Sequence, residues 1–243
     1  MNNLFFGTWE LDGILKPVSD KKARDLLLYA KSHNINKFDT ALAYGAGKVE
    51  RILSEVINDD DIILTKVPAI TKPTIDECFV DDYYPAGYVK KMVNTSMKNL
   101  SRDFIDIVLL HNWSRNWDGN VNCIKELLEL KDAKKIRYIG ISLPNNFNLR
   151  LSEDIIRNID YIEAPLNKDN RWILNDIDFY HNKGLKIVLR SLFLQGEVLK
   201  NGEFSVDEIL LNVIKYNTFI TVGMTDFSQI DENVKILEVG RNE

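Results

Sequence analysis

The chain has 243 residues, of which 45% are hydrophobic and 28% are charged, and its formal net charge is -5. The length is close to the roughly 250 residues of a single α/β barrel, and the composition is that of an ordinary globular domain. The negative charge argues against a nucleic-acid-binding surface and against attraction to an anionic membrane.

Short apolar segments alternate with helical patterns along the chain, which is typical of a parallel sheet with crossover helices. The candidate strands are rich in Ile, Val, Leu and Phe, as expected for strands that are buried on both faces. In chain order they are Leu4–Trp9, Lys37–Thr40, Ile62–Lys66, Ile105–His111, Tyr138–Ser142, Tyr161–Ala164, Lys186–Arg190 and Phe219–Gly223.

A helical pattern follows each candidate strand. The first predicted helix, Ser19–His33, begins with Ser-Asp, a favourable N-terminal cap, and gathers apolar side chains on one face. Those side chains are Ala23, Leu26, Leu27 and Ala30. The other predicted helices are Val49–Ile57, Gly87–Leu100, Asn120–Ala133, Asn148–Asn158, Trp172–Lys183, Val206–Tyr216 and Ser228–Glu238.

Eight strand–helix pairs predict a single-domain (β/α)8 barrel, a TIM barrel, over residues 1–243, because eight strands close a barrel that side chains can fill. The main alternative is an open doubly wound sheet. That fold usually carries the turn G-x-G-x-x-G after its first strand, and this sequence has no such turn.

Neither a membrane span nor a leader segment is expected. The longest apolar runs, such as Ile105–Leu110, are far shorter than the roughly 20 residues that cross a bilayer. The segment MNNLFFGTWELDG has no basic region before its apolar residues, so we do not expect a secretory signal. Cys78 and Cys123 fit no metal or redox motif, and we interpret them as reduced thiols of a cytoplasmic protein.

Four polar residues follow three consecutive candidate strands. Asp39 ends the second strand, Tyr44 lies in the loop after it, Lys66 ends the third strand and His111 ends the fourth. Because catalytic residues of such barrels lie at the carboxyl ends of neighbouring strands, we expect these side chains to converge. Taken singly, each has an ordinary interpretation as a cap, a rim charge or a packing residue, but the group of four favours catalysis.

These side chains suit the addition of hydride to a carbonyl, which builds negative charge on the carbonyl oxygen. The ordinary pKa of tyrosine, about 10, is too high for the best proton donor at neutral pH, and a nearby ammonium lowers it. We therefore predict that Tyr44 is the acid/base, that Lys66 lowers its pKa and that Asp39 holds Lys66. His111 is predicted to orient the carbonyl oxygen.

The sequence resembles the aldo-keto reductases over nearly its whole length. FDTALAYGAGKVE resembles their signature D-T-A-x-x-Y-G-x-G-x-x-E, and ILTK, FIDIVLLHNW and KKIRYIGIS resemble three further blocks in the same order. TVGMTDFSQIDENVKIL resembles the segment that wraps the adenosine phosphate of the cofactor. The resemblance implies that Asp39, Tyr44, Lys66 and His111 are a catalytic tetrad. It also implies direct hydride transfer with a nicotinamide cofactor and no metal.

The resemblance also implies contacts to NADP or NAD, bound extended across the barrel mouth. Ser142 matches a serine that holds the carboxamide, but Leu143 replaces the usual asparagine. Glu163 replaces a common glutamine, and Arg190 replaces a common stacking aromatic residue. The predicted cofactor contacts are Gly7, Thr8, Trp9, Ser142, Glu163, Arg190, Ser191, Leu192, Gly223, Met224, Thr225, Gln229, Glu232 and Asn233.

The segment after the last strand departs from that of NADP-specific members, which place basic residues beside the 2'-phosphate. Here the corresponding residues are uncharged: Gly223, Met224, Thr225 and Gln229. A phosphate without a cationic partner loses charge-assisted hydrogen bonds worth about 1.5–3 kcal/mol each. We therefore expect a weaker preference for NADP than in the family, with NAD as a suitable cofactor.

The predicted substrate contacts are Trp9, Tyr44, His111 and Trp113. Aromatic residues in the loops Val67–Pro85 and Asn112–Gly119 either line the pocket or pack the loops down, and the sequence leaves both open. RSLFLQG resembles short bacterial members found among carbohydrate and cell-surface biosynthetic genes, which suggests a sugar-like small-molecule carbonyl or alcohol as substrate.

Two other functions stay open. One is a nicotinamide-binding sensor or subunit without turnover, and the other is an enzyme that oxidises a sugar and then re-reduces it. In either case we expect a monomer or a small homo-oligomer.

Overall fold

Eight parallel strands form a closed barrel in the computed structural model, which describes residues 3–118, 121–200, 202 and 204–240. Each strand pairs with its neighbours in chain order, and the last pairs with the first. The strands are β1 (Leu4–Gly7), β2 (Lys37–Asp39), β3 (Ile62–Val67), β4 (Ile105–Leu110), β5 (Ile136–Ser142), β6 (Tyr161–Pro165), β7 (Lys186–Arg190) and β8 (Phe219–Gly223). The predicted (β/α)8 barrel is therefore confirmed.

An α-helix follows each strand, and α1 contacts both α2 and α8, so the first and last helices are neighbours, as the first and last strands are. Their bounds are α1 (Asp20–Ser32), α2 (Lys48–Ser54), α3 (Tyr88–Leu100), α4 (Asn122–Asp132), α5 (Glu153–Ile156), α6 (Ile177–Asn182), α7 (Val206–Ile214) and α8 (Phe227–Val239). The four apolar residues predicted for the inner face of α1 are its buried residues. Ser19 caps this helix, as predicted, by accepting a hydrogen bond from the amide of Lys22. No helix of the described residues is long and apolar enough to cross a membrane.

Several predicted bounds are wrong. The predicted helix Asn148–Asn158 shrinks to α5, because Asn148 adopts a φ of 50° that a helix excludes and Ser152 caps a later start. The predicted helix Trp172–Lys183 breaks at Asp176 into a 3₁₀ turn and α6. Trp9 leaves the first strand and begins a 3₁₀ turn that ends at Asp12. The predicted start of the fourth helix, Asn120, lies outside the described residues.

The barrel interior is filled by a small apolar cluster, separate from the larger core between strands and helices. Side chains alternate along a strand, so one face of each strand contributes to each core. The interior cluster comprises Phe5, Leu64, Ile107, Leu109, Tyr161 and Val188. This cluster fills the barrel on the amino-terminal side of the strand ends. The carboxyl ends of the strands then line the opening of the barrel, which we call the mouth.

Candidate active site

The alternation of side chains along the strands places the polar residues of the site inside the barrel. Leu64 and Tyr161 belong to the interior cluster, so Lys66 and Glu163, two residues further along β3 and β6, lie on the same face. By the same spacing the other strand ends bring in Asp39, His111, Ser142 and Arg190. The predicted convergence at the mouth therefore follows directly from strand geometry.

Lys66 is the centre of a buried charge network, and only 1% of its side chain is exposed. Its ammonium donates to Oδ1 of Asp39 and to the carbonyl oxygen of Thr40, at 3.2 Å for the latter. A second carboxylate also faces it, since Oε1 of Glu163 lies 3.3 Å from Nζ. An ammonium buried this deeply requires such partners.

Tyr44 and His111 lie over this network at the mouth, and both are partly exposed. Nζ of Lys66 is 5.6 Å from the centre of the Tyr44 ring, and the rings of Tyr44 and His111 meet edge to face with centres 6.0 Å apart. The rings of Tyr44 and His111 and the Lys66–Asp39 pair therefore lie together at the mouth.

The electrostatics of Tyr44 differ from the prediction. Burial raises the pKa of Tyr44 to about 12; Lys66 opposes this rise, whereas Asp39 and Glu163 add to it. The ammonium acts in the predicted direction, but the prediction of a lowered pKa is wrong because burial and the two carboxylates outweigh it. Tyr44 therefore stays a protonated phenol throughout the neutral range.

The pKa values of the remaining titratable groups of the site are shifted as well. Burial, reinforced by Lys66, lowers the pKa of His111 to about 3, so the imidazole is neutral and one ring nitrogen donates. Burial raises the pKa of Asp39 to about 6 against the pull of Lys66. Burial acts against the charged forms of Lys66 and Glu163, but their attraction keeps the pKa of Lys66 high and that of Glu163 below its usual range.

Glu163 and Arg190 form a second part of the network that sequence reasoning missed. Nε of Arg190 lies 3.5 Å from Oε2 of Glu163, and its Nη2 donates to the carbonyl oxygen of Leu143 at 2.9 Å. The hydroxyl of Ser142 also donates to Oε2 of Glu163. The sequence signal was present, because two charged residues replace uncharged ones on adjacent strands, but each was interpreted separately as a cofactor contact.

Glycines end both β1 and β8 at the rim, and the side chain of Glu10 lies 3.5 Å from where a Cβ of Gly223 would stand. Gly7 pairs with Gly223, and a Cβ on Gly7 would lie only 3.0 Å from Oγ1 of Thr221 and 3.1 Å from the amide of Gly223. Thr8 is buried, and its amide and hydroxyl both donate to the carbonyl oxygen of Asp39, at 2.9 and 3.0 Å. The side chain of Thr8 therefore positions the end of β2 instead of facing the mouth.

The N-terminus of α8 is capped by its own side chains. Oε1 of Gln229 accepts from the amides of Thr225 and Asp226, at 2.8 and 3.1 Å, and Oδ1 of Asp226 accepts from the amide of Ser228. These are the amides that a phosphate would use at this position.

The other predicted cofactor contacts divide by exposure. The exposed members are Trp9, Ser191, Gly223, Gln229 and Glu232. The buried members are Thr8, Ser142, Glu163, Leu192, Met224 and Asn233. Leu192 and Met224 pack into the main core, so their predicted cofactor contact through side chains is not supported.

The loop aromatic residues pack the loops down. Trp113 is 1% exposed, and its ring meets that of Trp117 edge to face at 5.5 Å. The hydroxyl of Tyr84 is fully enclosed and donates to the carbonyl oxygen of Asn112 at 3.1 Å. The prediction that Trp113 contacts substrate is therefore not supported, whereas Trp9 is 38% exposed at the mouth.

Comparisons of the sequence and of the structure with known proteins point to one family. A model of the aldo/keto reductase family matches residues 3–207. D-arabinose 1-dehydrogenase of Saccharomyces cerevisiae is 30% identical over 196 residues, which cover 74% of this chain and 56% of that protein. L-galactose dehydrogenase of Arabidopsis thaliana is 24% identical over 273 residues, which cover 94% and 82%. The chain spans about half the length of the yeast protein and of several other curated relatives.

A solved structure shares the fold. The crystal structure of an aldo-keto reductase from Klebsiella pneumoniae in complex with NADPH matches with a TM-score of 0.74 and 16% identity, covering 97% of this chain and 85% of the other. At that identity the match shows a common architecture, and the chemistry must be argued from the site.

Proposed function

Because the chain belongs to the aldo/keto reductase family, we propose that it is an NAD(P)H-dependent oxidoreductase that reduces an aldehyde or ketone to an alcohol. One observation carries the proposal: Tyr44 lies at the mouth beside a buried Lys66–Asp39 pair and a neutral His111. This arrangement supplies a proton donor, a cation that stabilises the phenolate left behind, and a hydrogen-bond donor to the substrate oxygen.

Each residue of the site has a distinct role in the proposed carbonyl reduction. When bound, the reduced nicotinamide supplies hydride to the carbonyl carbon and is left oxidised. Tyr44 donates its phenolic proton to the carbonyl oxygen as charge builds there, and His111 holds that oxygen with its ring N–H. The Lys66 ammonium then stabilises the phenolate until Tyr44 takes a proton back from water. Asp39 keeps Lys66 charged and in place.

The mouth fits a nicotinamide dinucleotide in three respects. Gly7 and Gly223 carry no side chains of their own, so an extended cofactor can approach the backbone of Gly223 beside the side chain of Glu10. Trp9 presents an exposed ring beside that rim. The hydroxyl of Ser142 keeps its acceptor lone pairs for a carboxamide N–H while it donates to Glu163.

Tyr44→Phe tests the assignment, because it removes one hydroxyl and leaves the ring. We expect turnover to fall at least 100-fold, roughly the lower bound for a positioned general acid, while the Kd for the cofactor changes little. Tyr29→Phe is a matched control, since the hydroxyl of Tyr29 donates to Asp231 on the outer face of the barrel. Full activity of Tyr44→Phe on a verified substrate would refute the proposal.

For the substrate we propose a sugar or a sugar-like carbonyl compound. Two relatives carry the names of sugar dehydrogenases, D-arabinose 1-dehydrogenase and L-galactose dehydrogenase. A panel of aldoses, keto-sugars and simple aldehydes, followed by cofactor absorbance in both directions, tests this point. Tight cofactor binding without turnover on any of them would favour the non-catalytic sensor or subunit. Substrate loss without net change in absorbance would favour the transient oxidation of a sugar.

For the cofactor we propose that NADP has little or no advantage over NAD. The start of α8 carries Asp226, whose carboxylate repels a 2'-phosphate, and Gln229 already occupies the amides of Thr225 and Asp226. Titration with NADH and with NADPH measures the preference directly. Gln229→Arg is expected to strengthen NADPH binding about tenfold, the equivalent of one charge-assisted hydrogen bond, and to leave NADH binding nearly unchanged. A wild-type protein that binds NADPH far more tightly than NADH would contradict this proposal.

A further inference from the structure

Lys66 has two carboxylate partners, although the Tyr–Lys pair needs only one to keep the ammonium charged. Asp39 approaches it from β2 and Glu163 from β6, on the opposite side of the barrel mouth. Both carboxylates are buried, so water does not screen their charges. The second carboxylate therefore has an electrostatic effect on every group around Lys66.

Glu163 is held in this position from three sides. The Ser142 hydroxyl of β5 donates to its Oε2, Arg190 of β7 lies 3.5 Å from the same oxygen, and Lys66 of β3 lies 3.3 Å from Oε1. Oε1 has no hydrogen-bond partner among the described residues, so its contact with Lys66 is an ion pair. The contact with Lys66 is thus the only polar use of that oxygen within the described structure.

We propose that Glu163 is a positioning residue: by sharing the Lys66 ammonium with Asp39, it offsets part of the positive charge that favours the phenolate of Tyr44 over the phenol that donates to a carbonyl. The inference rests on the proposed role of Tyr44 and adds to burial a second reason why this phenol does not ionise beside a lysine.

Charge balance gives the physical reason. The charged groups that face Tyr44 are Lys66, Asp39, Glu163 and Arg190, with His111 neutral, so two positive and two negative charges offset one another. An additional negative charge on the phenolate is then unfavourable in a buried site. Without the charge of Glu163 the site carries a net positive charge, which favours the phenolate. Burial and the carboxylate of Asp39 oppose the phenolate together with Glu163, because all three raise the pKa of Tyr44.

Glu163→Gln is the test, because it removes one charge and keeps the shape and an oxygen acceptor for Ser142. The ionisation of Tyr44 is read by ultraviolet difference absorbance against Tyr44→Phe in the same background. We expect the Tyr44 titration to move down by about one pH unit, the lower end of the effect of one nearby charge. The alkaline limb of the pH profile for alcohol oxidation should move down with it.

Glu126→Gln is the matched control, since Glu126 is also buried but its carboxylate accepts from the amides of Gly87 and Lys90 on α3. It should leave the Tyr44 titration unchanged. Arg190→Gln combined with Glu163→Gln restores the charge balance, so the double variant should titrate close to wild type. A merely structural role of Glu163 would not predict that recovery.

The outcomes separate this inference from the proposed function. An unmoved Tyr44 titration in folded Glu163→Gln would overturn the inference, even if Tyr44→Phe abolishes turnover. A downward shift in a protein that turns over no carbonyl would support the inference and count against the function. If Glu163→Gln alone does not fold, Arg190→Gln is compared with the double variant instead. Tyr44 must then titrate at a lower pH in the double variant than in Arg190→Gln.

Discussion

Lys66→Met removes the ammonium that the two buried carboxylates of Asp39 and Glu163 share. Its effect on the free energy of unfolding tests the charge network. Burial raises the pKa of Asp39 to about 6 even with Lys66 present, so the charged carboxylate depends on that ammonium. Breaking a buried ion pair by removing one partner typically costs about 3–5 kcal/mol. We expect a loss of this size in the free energy of unfolding at pH 8.

The loss should depend on pH with a definite sign. Lys66 opposes the rise that burial causes in the pKa of Asp39, so without Lys66 we expect that pKa to lie still further above the unfolded value and the folded protein to bind more protons than the unfolded one. Stability from such groups is present at low pH and is lost as the pH rises through the folded pKa. The difference between Lys66→Met and wild type should therefore be much smaller at pH 5 than at pH 8.

Urea unfolding followed by circular dichroism at pH 5 and pH 8 measures both values. Lys186→Met is a suitable control, because Lys186 lies exposed on β7 with its ammonium 4.6 Å from the ring centre of Tyr138. That variant should lose about 1 kcal/mol or less, equally at both pH values. An equal loss for Lys66→Met at both pH values would indicate a packing defect and refute the electrostatic reasoning.

Three further predictions concern other parts of the molecule. Gly140→Ala would put a Cβ 2.1 Å from the carbonyl oxygen of Tyr161, so we expect a loss of about 3 kcal/mol or failure to fold, and a thermal unfolding midpoint near that of wild type would contradict it. The ring nitrogen signals of His111 in NMR spectra should stay those of a neutral imidazole between pH 5 and 8, because burial lowers its pKa to about 3, and protonation of the ring with a midpoint near 6.5 would contradict this. Glu126→Gln removes a charge from the N-terminus of α3 and should cost about 1 kcal/mol in urea unfolding without changing turnover, whereas a large loss of turnover would place Glu126 in a role absent from the structure.

Much of the fold could be predicted because strand and helix patterns are local. The strands β7 and β8 have their predicted bounds, and the inner face of α1 is as expected from its spacing. The predicted helix bounds are wrong where the backbone conformation of a single residue ends or delays a helix. Asn148 adopts a positive φ and Asp176 breaks a helix, and neither conformation is visible in an apolar pattern.

The sequence could predict which residues lie at the site, but it could not predict their pKa values. The strand-end positions of Asp39, Lys66 and His111 imply their convergence, since parallel strands of a barrel end at one rim. The pKa of Tyr44 depends on how deeply it is buried and on a carboxylate from β6, which lies far along the chain. A sequence shows which charges exist, but the balance among burial, attraction and repulsion depends on distances across the barrel.

The sequence by itself determined the number of strands and the identity of the polar groups at their ends, because apolar strand patterns are local and closure at eight strands follows from their number. Only the tertiary structure decided that Glu163 and Arg190 join the Lys66 network and that Trp113 is buried beneath the loops. Those facts depend on contacts between residues distant in sequence, whose energies are set by separation in space and by exclusion of water.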